Sequence, residues 1–97
     1  MTYDEMIVSD PVVLVEFYAD WCPHCHRMMP IVEEVKELLE GKAKVCQIEI
    51  DQNREIADQN DVQSVPTFII YRDGQEMWRQ SGEMDGEVLL TQVQQYC

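Results

Sequence analysis

Residues 12–19 form a nearly unbroken apolar, largely β-branched run, Val-Val-Leu-Val-Glu-Phe-Tyr-Ala. Such a run, without alternation, is the pattern of a strand buried on both faces. Two residues later comes Cys22-Pro23-His24-Cys25, and from Pro23 the apolar spacing changes to a helical one. Met28, Ile31, Val32, Val35, Leu38 and Leu39 recur on one helical face, while Glu33, Glu34, Lys36, Glu37 and Glu40 take the other. A cysteine pair thus stands where a buried strand gives way to a helix. The first amides of a helix are unpaired, and the aligned peptide dipoles favour negative charge there. A thiol at that position ionises more easily, and the thiolate is the reactive form. A second cysteine three residues on is one turn away and close enough to form a disulfide. This arrangement implies thiol–disulfide exchange with cysteines of other proteins.

The remaining elements alternate. Residues 2–8 form a short helix or an irregular lead-in. The helix from Pro23 is expected to run to about residue 40, with Gly41 as its C-cap. Residues 44–50 alternate, with Cys46, Ile48 and Ile50 on one face and Gln47 and Glu49 on the other, so they form a strand. Residues 53–60 form a short helix. Strands at residues 67–71 and 75–80 flank Asp73-Gly74, a hairpin turn signal. Asp85 caps a last helix that turns Val88, Leu89, Val93 and Tyr96 inward. The first two strands, joined through a helix, make a parallel unit. The last two pair antiparallel. An α/β fold follows, with a central four-stranded mixed sheet flanked by helices on both faces.

At 97 residues the chain forms one domain, residues 1–97. No stretch approaches the ~18 apolar residues of a membrane span. The first five residues, Met-Thr-Tyr-Asp-Glu, lack the basic-then-apolar pattern of a signal peptide, so the chain reads as cytoplasmic. A net charge of −12 argues against nucleic-acid binding and against adsorption to anionic membranes. Of four cysteines, Cys22 and Cys25 form a motif, whereas Cys46 and Cys97 are scattered. Cys46 points to a core face and is expected to be inert; Cys97 is expected to be an exposed free thiol.

These residues resemble the thioredoxin family. Residues 15–25, Val-Glu-Phe-Tyr-Ala-Asp-Trp-Cys-Pro-His-Cys, are similar to its strand-to-active-site segment. Pro30 matches the proline that kinks the family's long active-site helix. Residues 48–53, Ile-Glu-Ile-Asp-Gln-Asn, resemble the following strand and turn. Val65-Pro66-Thr67 resembles the family's cis-proline segment, Asp73-Gly74 its hairpin, and Gly82 the glycine beside its active site. The likeness covers residues 11–97. The lead-in is short for the family's usual first strand and helix, which implies a shortened N-terminus and a trimmed sheet.

The resemblance implies a protein-disulfide oxidoreductase active in electron transport and cell redox homeostasis. Cys22 is expected to be the exposed nucleophile and Cys25 the deeper, resolving thiol. Pro23 suits the first helical position, where no amide hydrogen is needed. Pro-His between the cysteines, where common thioredoxins carry Gly-Pro, is similar to the bacterial disulfide-forming oxidases. His24 beside the thiolate would stabilise the reduced form and make the pair more oxidising. The expected potential is roughly −150 to −230 mV, between about −270 mV for thioredoxin and about −120 mV for that oxidase. Glu16 stands where the family has a buried Asp beneath the second cysteine, and the family's partner lysine is here Gln47. As a lone buried carboxylate, Glu16 should have a raised pKa and could accept the Cys25 proton. Pro66 is expected to be cis and to shape a shelf where an extended substrate peptide pairs with the backbone of Val65. Trp21, Val65, Pro66 and Gly82 would form an apolar docking rim.

Partners implied are proteins carrying disulfides or thiols and a thioredoxin-reductase-like flavoprotein, with the chain itself a monomer. No cofactor and no metal are expected. An oxidant or isomerase of the disulfide-forming type is the alternative direction. Residues 22–26, Cys-Pro-His-Cys-His, also fit c-type haem attachment or, with a fourth ligand, a metal site. The buried strand before the motif and Pro66 after it favour the exchange reading over haem attachment, and the lack of a second Cys-x-x-Cys disfavours a metal site.

Overall fold

A computed structural model describes residues 1–97. Strand β1 (Val12–Tyr18) lies inside the sheet, between two partners. It pairs in parallel with β2 (Lys44–Glu49) and antiparallel with β3 (Thr67–Arg72), onto which β4 (Gln75–Ser81) folds as a hairpin. The order is β2-β1-β3-β4, the four-stranded mixed sheet expected from the sequence. Both edges carry polar side chains, Gln47 on β2 and Glu76 and Arg79 on β4, which discourage edge-to-edge pairing.

Helices α1 (Tyr3–Met6), α2 (Pro23–Leu38), α3 (Arg54–Gln59) and α4 (Gly86–Gln94) divide between the two faces. On one face α2 and α4 bring Met28, Val32, Val35, Leu89 and Val93, with Leu39, against Val12, Leu14, Phe68 and Ile70. On the other, Ala57 of α3 and Tyr3, Met6 and Ile7 cover Val13, Val15, Phe17, Ile69 and Tyr71. The Tyr3 and Tyr71 hydroxyls share a hydrogen bond of 2.7 Å that ties the N-terminal turn to the sheet. Burial on both faces explains why β1 is almost wholly apolar. It also fixes Glu16, which shares the face of Val12 and Leu14 by the two-residue period and therefore points toward α2.

Four local expectations need correction. Helix α2 stops at Leu38, with Leu39 as C-cap, and Gly41 (φ +81°) instead supplies the left-handed residue of the turn that follows. Leu38 is 55% exposed because Met28, Val32, Val35 and Leu39 already fill the stripe, leaving Leu38 at its margin. Val88 is likewise exposed, while its neighbour Leu89 takes the inward position. Asp85 occupies the N-cap of α4, but its side chain makes no capping hydrogen bond.

Candidate active site

The end of β1 and the start of α2 bring the cysteine pair to one end of the sheet, past the last residue of its central strand. Cys22 is the N-cap residue of α2, in extended conformation, and Pro23 follows at the first helical position. The Cys25 amide donates to Cys22 Sγ at 3.2 Å, so the sulfur receives one of the helix's unpaired N–H groups. The Cys22 thiol in turn donates to the Val65 carbonyl at 3.7 Å. Cys22 and Cys25 pack with Ala19, and Tyr18, Ile50 and Val65 close around them.

The expectation that Cys22 is exposed and Cys25 deeper is corrected: each is only 2% exposed. The N-cap geometry turns the Cys22 sulfur back over the first helical turn, beneath Val65. Burial, and then hydrogen bonding with Cys22, push the Cys25 thiol up to about 12, so it stays protonated at neutral pH.

Glu16 lies 2% exposed near Cys25. Gln47, its register partner on β2, donates from Nε2 to Glu16 Oε1 at 2.9 Å. Burial raises the Glu16 carboxyl to about 7, and the Gln47 hydrogen bond offsets this only in part. Glu16, Cys25 and Gln47 line a common cavity of about 210 Å³ with Tyr18, Ala19, Asp20, His26 and Met29. It has room for several water molecules. His26 turns its Nε2 to the Asp20 carbonyl.

The Val65–Pro66 peptide is cis. Thr67 holds this segment, bonding through its hydroxyl to the Ser64 carbonyl and to the Ser81 hydroxyl, each at 2.7 Å. The Gly82 amide donates to the Pro66 carbonyl at 2.8 Å, which brings Gly82 (φ +96°) beside the shelf. Val65 and Gly82 are half-buried and Pro66 is buried. Trp21 is 65% exposed and belongs to the opposite side, where its Nε1 donates to Asp51 Oδ2 at 2.8 Å. The residues expected to form one docking rim therefore fall into two groups, Val65, Pro66 and Gly82 in one and Trp21, bound to Asp51, in the other.

A family model described as thioredoxin matches residues 1–95. The chain belongs to the thioredoxin family. It is 40% identical over 73 residues to thioredoxin of Rickettsia bellii, covering 75% of this chain and 70% of that one. Rice thioredoxin Y, named chloroplastic, is 36% identical over 94 residues, 96% of this chain and 56% of the rice protein. A mutant thioredoxin from Halobacterium salinarum superposes with a TM-score of 0.89 at 33% identity, over 96% of this chain and 80% of its own. Membership of the thioredoxin family makes the chain a protein-disulfide oxidoreductase.

Two thioredoxin-site contacts escaped the sequence reading. Asp51 accepts from the Trp21 indole, and its place in the turn after β2 gives no local signal of that contact. Glu83 binds His24 and Arg27 on the exposed side of the first turn of α2. It is 59 residues from His24 in the chain, and nothing in the local sequence signals their meeting. His24 Nδ1 makes its hydrogen bond here, to Glu83, with Arg27 Nη2 beside it, and none to either sulfur.

Proposed function

We propose that Cys22 is the attacking thiol and Cys25 the resolving one in reduction of protein disulfides. The observation that carries this is the Cys22 sulfur at the N-cap of α2, accepting the Cys25 amide. The Cys22 thiolate attacks a substrate disulfide, forming a mixed disulfide and expelling a substrate thiolate that takes a proton from solvent. Cys25 then gives up its proton and attacks Cys22 Sγ. The Cys22–Cys25 disulfide forms, and the second substrate thiolate leaves and is protonated. Two electrons pass from the dithiol to the substrate. With its thiol held at about 12, Cys25 needs a base, and Glu16, raised to about 7 and lining the same cavity, is available as one in its ionised form near neutral pH. The backbone of Val65 offers the shelf for an extended substrate strand, and a thioredoxin-reductase-like flavoprotein returns the pair to the dithiol.

The pair is also proposed to be more oxidising than an ordinary thioredoxin, because His24 stands between the cysteines. Equilibration with glutathione buffers tests this. A potential above about −230 mV supports it, and His24→Pro with Pro23→Gly then moves it toward about −270 mV. A value near −270 mV in the unaltered protein sinks it. Trapping tests the roles: Cys25→Ser accumulates a mixed disulfide through Cys22, whereas Cys22→Ser forms none. Accumulation through Cys25 instead would reverse the assignment.

A further inference from the structure

Glu83 follows Gly82 in the loop after β4 and reaches across to the first turn of α2. Its Oε2 lies 2.5 Å from His24 Nδ1 and 2.8 Å from Arg27 Nη2, and both of its oxygens lie 3.0 Å from Arg27 Nε. One carboxylate thus holds two of that turn's three basic groups, the third, His26, being turned to the Asp20 carbonyl. At such a distance from a carboxylate oxygen, His24 Nδ1 must carry a hydrogen, because two lone pairs would repel. Arg27 Nη2, only 2.8 Å from the same nitrogen, then meets another donor, and Glu83 compensates both. Arg27 and then His24 bring the Glu83 carboxyl down to about 2, so it is charged at neutral pH. The guanidinium is held charged chiefly by Glu83, and the weakest influence on it is the Cys22 sulfur.

We propose that Glu83 is a positioning residue that holds His24 and Arg27 away from the Cys22 thiolate and offsets part of their charge, so that this latch limits how far Pro-His raises the potential. This rests on the exchange reading above and deepens it. Three observations support it. Glu83 binds both groups at once, His24 has no hydrogen bond to sulfur, and the loop carrying Glu83 is fastened at Gly82 to Pro66. Without the carboxylate, the turn beside Cys22 gains one unit of uncompensated positive charge, and His24 and Arg27 are free to swing toward the sulfur. A stabilised thiolate is a stabilised reduced form, hence a more oxidising pair.

The experiment is a mutant cycle on the glutathione equilibrium, in which the Cys22–Cys25 disulfide and two glutathione thiols give the dithiol and one glutathione disulfide. Glu83→Gln should favour the dithiol by roughly two- to fivefold, the size expected of one exposed charge at a helix N-terminus. For a two-electron couple that is about 10–20 mV. In a chain already carrying His24→Gln and Arg27→Gln, the same substitution should move the constant less. Glu83→Ser, a second removal of the charge, should behave like Glu83→Gln. No shift, a shift toward the disulfide, or an equal shift in both backgrounds overturns the positioning role; the last would make Glu83 a bare distant charge. If the unaltered protein fails to equilibrate with glutathione, the exchange reading falls and takes this one with it. If it equilibrates and Glu83→Gln changes nothing, this inference alone falls.

Discussion

Glu16 shows how one buried side chain couples stability to chemistry. Its carboxyl rises from an ordinary 4.5 to about 7 because burial disfavours the charged form. The folded chain therefore binds a proton more tightly than the unfolded chain. Glu16 costs nothing below about pH 4.5, and its cost grows as pH rises toward 7 and is complete above that. The full penalty is about 3 kcal/mol. Glu16→Gln keeps a polar partner for Gln47 and removes the charge. It should raise stability by a little under about 1 kcal/mol at pH 5 and by about 3 kcal/mol at pH 8 relative to the unaltered protein. Urea unfolding at both pH values measures this, and a parallel pH dependence in the two proteins would refute it. The same substitution should slow resolution of the mixed disulfide by roughly a hundredfold at neutral pH, the range of general-base effects. Gain in stability with loss of rate is the signature of a group kept for function. Glu16 was legible in the sequence because a charge inside an apolar run is conspicuous, and the Cys22–Cys25 pair because its spacing is local. Glu83 was not, since its meeting with His24 depends on how the loop after β4 returns over α2. The burial of Cys22 was missed for a related reason: the covering atoms come from Val65, far along the chain.

Elements show the same division. The span of β1, the period of α2 and the hairpin at Asp73-Gly74 were legible because each is dictated by neighbours in sequence. Where α2 ends and which marginal residues it buries depend on its packing partners, so Leu38 and Val88 were misplaced. The hairpin permits a sharp test. Asp73 and Gly74 both have positive φ, +52° and +82°, as a two-residue turn matching the sheet twist requires. A Cβ on Gly74 would also come within 2.6 Å of the Val8 side chain. Gly74→Ala therefore meets backbone strain and a clash together, and should cost about 1–3 kcal/mol. Because Val8 lies in the lead-in that brings Tyr3 to Tyr71, the loss should be smaller when Val8 is shortened to Ala. A double-mutant cycle on unfolding free energies checks this, and full additivity would exclude the contact with Val8.

At the scale of the whole molecule, charge dominates. Against 19 acidic residues stand 7 basic ones, and among the carboxylates only Asp51, Asp73, Glu76 and Glu83 meet a cation in an ion pair. The rest repel one another over a body whose extents are 31 × 27 × 19 Å. At about 0.01 M salt the screening length is about 30 Å, so every carboxylate acts on every other; at physiological salt it is about 8 Å, and only neighbours interact. Raising salt across that range should therefore stabilise the fold, by about 1 kcal/mol or some 4–8 °C in Tm. The same field acts on substrates with the opposite sign. A disulfide flanked by lysines is drawn toward the protein and one flanked by glutamates repelled, so at low salt the cationic peptide should be reduced several times faster. That ratio should fall toward one as salt is added, while Tm rises. Stopped-flow reduction of the two peptides alongside thermal melts separates the effects. If the peptides react equally at low salt while Tm still climbs, the acidic surface shapes stability without reaching the sulfurs, and the local balance of Trp21, Val65, His24 and Glu83 governs substrate approach instead.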